Sequence, residues 1–229
     1  MSVYALSDIH GNGILWNKIK NYLKSDDKIF FLGDAIDRGP DGYNIMKEIL
    51  SDSRFMYLKG NHEDMMMKAL EEIESYENDY NFDLWTVYNG GYVTYDAWIK
   101  ENYKFSGDWI NTLRRLPLEA TYINKNNKTI LLSHAGYTPG HKTTDEYNFI
   151  WNRSHFYMDT EDISKDILVV HGHTPIDYLK VHLPKEEWID NNGVLFYKDI
   201  KVNIDCGTYR SKYICLLNLD TLEVIRFEE

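Results

Sequence analysis

A chain of 229 residues that is 43% hydrophobic can bury a sizeable core, and we read residues 1–229 as one domain. Its formal net charge of −11 excludes a general polyanion binder, whose affinity comes from many lysines and arginines neutralising phosphates, so no nucleic-acid partner is expected. There is no apolar run near the roughly 20 residues that span a bilayer and no basic, apolar and small-residue leader, so the expectation is a cytoplasmic protein without a membrane partner.

Short apolar runs at residues 3–6, 29–32, 55–58, 130–132, 167–170, 202–204 and 213–219 predict strands. Ile14, Leu15, Ile19, Tyr22 and Leu23 form one helical stripe between the early runs, and Tyr43, Met46, Ile49 and Leu50 form another. Strand–helix–strand alternation predicts an α/β fold with a largely parallel sheet covered by helices. Residues 63–116 read as a mostly helical insertion, and the aromatic series from Trp85 to Trp98 inside it reads as core rather than a substrate box, with room for some of its residues to line the cleft. Asn126-Asn127 and Asn191-Asn192-Gly193 sit between later runs as hairpin turns, so antiparallel strands complete the architecture. Cys206 and Cys215 fall in apolar strands and read as free, buried cysteines.

Each of the first five runs ends in a polar cluster: Asp8-Ile9-His10, Gly33-Asp34 through Gly39, Gly60-Asn61-His62-Glu63, Ser133-His134 and His171-Gly172-His173. The carboxyl ends of strands in an α/β sheet surround the ligand crevice, so five such ends predict one site. Asp, His and Asn without thiolates form a donor set for manganese, iron or zinc, with Mn2+ our first choice. Asp8 and His10, two apart in an extended segment, are expected on the same side. With Asp34 they make a first metal site. Asp34, Asn61, His134 and His173 make a second, with His171 an equal competitor to His173 on spacing alone. Asp34 is the candidate bridge between two cations, which would lower the pKa of a bridging water and deliver hydroxide in line to phosphorus. His62, held by Asp37, is the candidate general acid for the leaving alkoxide, kept protonated by that carboxylate. Arg38 and Arg153 are the candidate phosphate ligands beside Asn61.

These five clusters, in this order and at these separations, make the chain resemble the phosphoprotein phosphatase family of metallophosphoesterases. It is most similar to the bacterial and phage lambda-type serine/threonine phosphatases through Asn61-His62-Glu63 with Met65-Met66, Asn89-Gly90-Gly91 and Trp151-Asn152-Arg153. The resemblance covers residues 1 to about 210. It implies a four-layer αββα sandwich of two mixed sheets, a dimetal centre on the ligands above with His173 rather than His171, the His62–Asp37 dyad, and phosphate binding by Arg38 and Arg153. A phosphorylated protein or peptide is the implied partner.

Simpler roles compete with these. Asp8 and Asp34 alone would be helix N-caps, and Glu63 is expected to be a first-turn structural carboxylate. His141, His155 and His182 are expected in loops or on the surface. Two rival functions stand beside the phosphatase. A symmetrical diadenosine tetraphosphate hydrolase commonly shows Asn-His-Asp where this chain has Asn61-His62-Glu63, and a non-catalytic scaffold would have lost ligands that are all present here. The acidic run Glu71, Glu72, Glu74, Glu77, Asp79 and Asp83 is expected to wall the cleft and to favour basic phosphopeptides, with added salt reducing the preference.

Overall fold

The computed structural model describes residues 1–76, 79–102, 106–137, 146–153, 155 and 166–229; Glu77 and His141 lie outside the described residues. Strand β1 (Val3–Leu6) illustrates how the layers arise. All four of its residues are buried, with Val3 and Ala5 joining one apolar cluster and Tyr4 and Leu6 another, because successive side chains leave opposite faces of a strand. A strand buried on both faces needs cover on both sides.

On one side the cover is helical. α1 (Gly13–Tyr22) is capped by the Asn12 carboxamide, which accepts from the Leu15 amide, and buries Leu15, Trp16 and Ile19. α2 (Gly42–Ser51) buries Ile45, Met46 and Ile49 against the same face. Each such aliphatic side chain contributes about 1.5–3 kcal/mol by leaving water. The first sheet runs β11-β10-β1-β2-β3, with β2 (Lys28–Phe31) and β3 (Phe55–Tyr57) parallel to β1, β10 (Tyr213–Asn218) antiparallel to β1, and β11 (Val224–Glu228) antiparallel to β10.

On the other side the cover is a second sheet, ordered β4-β5-β6-β9-β8-β7. Its strands are β4 (Glu119–Ile123), β5 (Thr129–Ser133), β6 (Ile167–His171), β7 (Trp188–Asn191), β8 (Val194–Tyr197) and β9 (Lys201–Asn203). β5, β6 and β9 run parallel while the outer pairs are antiparallel. Val3, Ala5, Leu32 and Leu58 from the first sheet meet Ile130, Leu132, Leu168, Val170 and Val202 from the second. α8 (Ile176–His182) covers the far face through Ile176 and Leu179 on Leu195 and Tyr197. The result is the expected αββα arrangement of two mixed sheets flanked by helices. Asn192 and Gly193 both take positive φ, 53° and 96°, as a two-residue type I′ hairpin between β7 and β8 requires.

The insertion is helical as expected: α3 (Asn61–Ser75), α4 (Tyr80–Asp83), a π-helical turn Leu84–Tyr88, α5 (Tyr92–Asn102) and α6 (Ser106–Arg114). α7 (Glu146–Ile150) and α9 (Thr208–Ser211) are short. Among the described residues no helix is long and apolar enough to cross a membrane.

Candidate metal centre

The parallel strands bring their carboxyl ends together, and the chain then curls rather than continuing. Asp8, His10, Asp34, Asp37, Arg38 and His173 all have φ between 46° and 72°. Left-handed backbone is uncommon outside glycine and costs on the order of 1–3 kcal/mol per residue, so six such residues mark a segment held by its surroundings. The loops after β1 and β2 hold each other: the amides of Asp8, His10 and Gly11 donate to the carbonyls of Gly33, Asp34 and Ala35 at 3.1, 3.1 and 2.9 Å. This corrects the expected origin of the Asp8–His10 pair, since left-handed turns rather than extended alternation orient it. Neither Asp8 nor Asp34 caps a helix; the caps of α1 and α2 are Asn12 and Asp41.

Asp34 lies between two groups of potential ligands. Its Oδ2 is 3.6 Å from His10 Nε2 and 3.8 Å from His62 Nε2, while Oδ1 is 3.4 Å from His134 Nε2. His10, Asp34 and His62 form one compact three, and Asp8, Asp34 and His134 form the other. Asp8 and His10, paired in the sequence reading, therefore fall into different threes. Asn61 Oδ1 lies 2.9 Å from both His134 Nε2 and His173 Nδ1.

Backbone carbonyls select the histidine tautomers. Nδ1 of His10 meets the Ile36 carbonyl at 3.0 Å, Nδ1 of His134 meets that of Leu32 at 2.7 Å, and Nε2 of His173 meets that of Trp151 at 3.2 Å. Each carbonyl accepts a hydrogen bond from the ring N–H, so the opposite nitrogen turns a lone pair inward. Burial holds these rings neutral, lowering His10 and His173 well below the ordinary histidine value and His134 to about 3. The Asn61 carboxamide thus meets two ring nitrogens that turn lone pairs toward it. Lone pairs converging from imidazole and carboxamide make a donor set that a cation would tie together.

The carboxylates give the same indication. Burial and then Asp205 push Asp8 upward, and burial, Asp8 and Glu63 push Asp34 upward. Arg38 supplies positive charge nearby, with Nη1 2.8 Å from His10 Nε2 and Nη2 3.0 Å from His62 Nε2. Carboxylate, amide and imidazole donors without thiolate suit manganese, iron or zinc, so the residues present fit a pair of divalent cations.

His62 is 1% exposed, and its Nδ1 lies 2.6 Å from Asp37 Oδ2. Asp37 is fully buried, and that burial raises it to about 7. Burial, then Arg38 and Arg153, push the His62 ring well below its ordinary value, against the pull toward protonation expected from Asp37. Arg153 donates through Nη1 to the His173 carbonyl and the Thr174 hydroxyl, both at 3.1 Å, and lines the cleft beside Arg38.

Glu63 takes the structural role expected of it. Fully buried, it accepts from the amides of Asp34, Ala35 and Gly60 and from the Tyr57 hydroxyl at 2.7–3.0 Å. One carboxylate therefore ties the β2 loop to the start of α3. Glu63→Gln presents an amide N–H to these donors, and we expect it to cost roughly 3 kcal/mol or more. In a chain of this size that lowers the melting temperature by about 6–12 °C, measurable by thermal denaturation. An unchanged melting temperature would remove the strut.

The cleft over this floor has a volume of about 1050 Å³. From the insertion it is lined by Tyr88, Asn89, Gly90, Tyr92 and Val93, and among the described residues none from Glu71 to Asp83 lines it. Glu71 pairs with Arg114 at 2.5 Å, and Glu72 is buried, accepting from Asn81 and the Phe82 amide. The helical periodicity of α3 turns these acids away from the cleft. In the aromatic series, Trp85 and Trp98 are core as expected, whereas Tyr88 and Tyr92 are 78% and 65% exposed at the rim. His173 faces the site while His171 packs edge-on against His155 at 4.8 Å, so His155 is buried rather than a surface residue.

Asp205 escaped the sequence reading. It lines the cleft, burial raises it to about 6, and its amide donates to Asn203 Oδ1 at 2.7 Å. The signal was present, because β9 also ends in polar residues, Asn203-Ile204-Asp205, as β1, β2, β3, β5 and β6 do.

Residues 1–207 match the family model for calcineurin-like phosphoesterases. No curated protein matches the chain in sequence. Among solved structures it is similar to a candidate diadenosine tetraphosphatase (TM-score 0.59, 14% identity, 99% of this chain and 92% of that one). It is also similar to the cold-active protein-tyrosine phosphatase of a psychrophile Shewanella species (TM-score 0.57, 17% identity, 99% and 77%). A third is a protein serine/threonine phosphatase from Saccharomyces cerevisiae with similarity to human phosphatase PP5 (TM-score 0.57, 13% identity, 100% and 80%). At these identities the likenesses establish the fold.

Proposed function

The chain belongs to the calcineurin-like phosphoesterase family, hydrolases of phosphoesters at a dinuclear metal centre, and we propose that it is a phosphomonoesterase acting on phosphoserine and phosphothreonine in proteins. The observation that carries this reading is the His62–Asp37 dyad at 2.6 Å behind the candidate metal ligands. A serine or threonine alkoxide is a strongly basic leaving group that must be protonated as it departs, whereas a nucleoside diphosphate is a weak base that leaves without a proton donor.

In this reading Asp8, His10, Asp34, Asn61, His134 and His173 hold the cations, with Asp34 shared. When bound, the cations neutralise phosphate oxygens and lower the pKa of water so that it can attack phosphorus. The rest is work for the chain. Arg38 and Arg153 bind the phosphoryl oxygens, with Arg38 able to present two parallel N–H groups. Drawing the Arg38 guanidinium onto an incoming phosphate frees His62 Nε2 and removes a positive neighbour. The dianion beside the ring then favours protonation at Nε2, while Asp37 holds the proton on Nδ1. The imidazole is thereby loaded for the leaving oxygen.

The rival substrate is a dinucleoside polyphosphate, favoured by the exposed tyrosines that line the cleft, Tyr88, Tyr92, Tyr178 and Tyr209, which offer stacking faces to a base. A panel under manganese separates the two. Phosphoserine or phosphothreonine peptides are expected to be cleaved with higher kcat/KM than diadenosine tetraphosphate, and phosphodiesters least well. Because the described acids of that run do not line the cleft, no strong preference for flanking lysine or arginine is expected. A clear preference for the dinucleotide, yielding two nucleoside diphosphates, would replace the substrate assignment and leave the metal centre standing.

A further inference from the structure

Asp37 has further partners besides His62. The indole of Trp85, itself fully buried, donates its Nε1–H across both carboxylate oxygens, 3.1 Å from Oδ1 and 2.9 Å from Oδ2. The amide of Asp37 donates to Thr94 Oγ1 at 2.9 Å, and Thr94 is 1% exposed. Trp85 stands on the π-helical turn Leu84–Tyr88 and Thr94 on α5, so both arrive from the helical insertion. A π turn widens the helix by one residue and is found disproportionately at functional sites.

The Asn89-Gly90-Gly91 segment builds this contact. Asn89 Nδ2 donates to the Leu84 carbonyl, closing the turn at 2.7 Å. The Gly90 carbonyl accepts from the Arg38 amide at 3.0 Å, and the Gly91 amide donates to the Trp85 carbonyl at 2.9 Å. A methyl group at Gly91 would sit 2.3 Å from Trp85 Nε1, in the space the indole occupies. The glycine pair thus fixes the indole on one side and the loop of Asp37 and Arg38 on the other.

We infer that the insertion clamps Asp37: Trp85 fixes the plane of its carboxylate and Thr94 its left-handed backbone, making both positioning residues for proton delivery by His62. This rests on the reading of His62 as proton donor. A carboxylate held by the His62 ring alone could rotate, and the ring would follow it out of line. With the carboxylate fixed by the indole across both its oxygens, the imidazole on Oδ2 keeps Nε2 aimed at the cleft.

The test uses the full, manganese-loaded chain with a phosphoserine peptide and 4-nitrophenyl phosphate. Trp85→Phe is expected to reduce kcat on the peptide on the order of 10–100-fold, the usual cost of losing an outer hydrogen-bonding partner, with KM and the aryl phosphate rate nearly unchanged. Thr94→Val, which preserves packing, is expected to shift the same ratio in the same direction, and it decides the matter if Trp85→Phe does not fold. Combining Trp85→Phe with His62→Asn should add nothing to His62→Asn alone. Equal losses on both substrates, or additive losses in the double variant, overturn the clamp. A readout free of turnover is the indole N–H proton resonance of Trp85 in protein without added metal. Its downfield position should be lost in Asp37→Asn, and an unmoved resonance also overturns the proposal. Should His62→Asn itself show no dependence on the leaving group, the reading of His62 falls and the clamp with it; should that dependence be present while Trp85→Phe lacks it, only the clamp falls.

Discussion

Asp34→Asn is expected to lower phosphatase activity by roughly 10³-fold or more, and chelation of the unsubstituted protein is expected to do the same until manganese is restored. The carboxylate offers one oxygen toward His10 and His62 and the other toward His134, so it serves both candidate ligand groups. An amide replaces one of those oxygens with an NH2 group, removes the shared charge, and places a donor where a cation needs an acceptor. The scale follows from the several kcal/mol of charge stabilisation a metal supplies, each 1.4 kcal/mol being tenfold in rate. Metal content measured on the purified variant identifies the cause. Because Asp34 Oδ1 also accepts the His62 amide at 3.1 Å, the variant needs a thermal denaturation check. Full activity in chelator, or in a folded Asp34→Asn protein, would end the two-metal reading.

His62→Asn should retain its metals yet lose about 10²–10⁴-fold on an alkyl phosphate, the usual worth of a positioned proton donor. The same variant should lose far less on an aryl phosphate whose leaving group is already a weak base. The contrast is the informative part, since damage to phosphate binding would slow both substrates alike. The structure gives a reason to expect it: the ring is buried, its Nδ1 is committed to Asp37, and Nε2 meets Arg38 at the cleft. Metal analysis matters here too, because His62 also lies within ligand distance of His10 and Asp34. Equal losses on the two substrates with metals in place would assign His62 to something other than protonating the leaving oxygen.

From the sequence alone came the strands, the two hairpin turns, the helical insertion, and the polar strand ends that named Asp8, His10, Asp34, Asn61, His134 and His173. These are local signals, because apolar runs and turn residues report on their own neighbourhood, and the donor chemistry of a strand end shows in its composition. The family resemblance then supplied the four-layer order, which periodicity alone did not contain. Only the tertiary structure decided what depends on direction. His171 and His173 leave the same strand two residues apart, and it is the left-handed turn at His173 that sends one ring to Asn61 while the other packs on His155. The acids of α3 look in sequence like a wall of the cleft, yet helix phase turns them away and leaves that position to Tyr88 and Tyr92. Trp85 reads as core and is core, and nothing along the chain reveals that its one polar atom meets Asp37, 48 residues away. Which side chains a residue faces depends on elements distant in sequence and on backbone turns such as those at Asp8, Asp34 and Asp37, and these exist only once the sheets have packed.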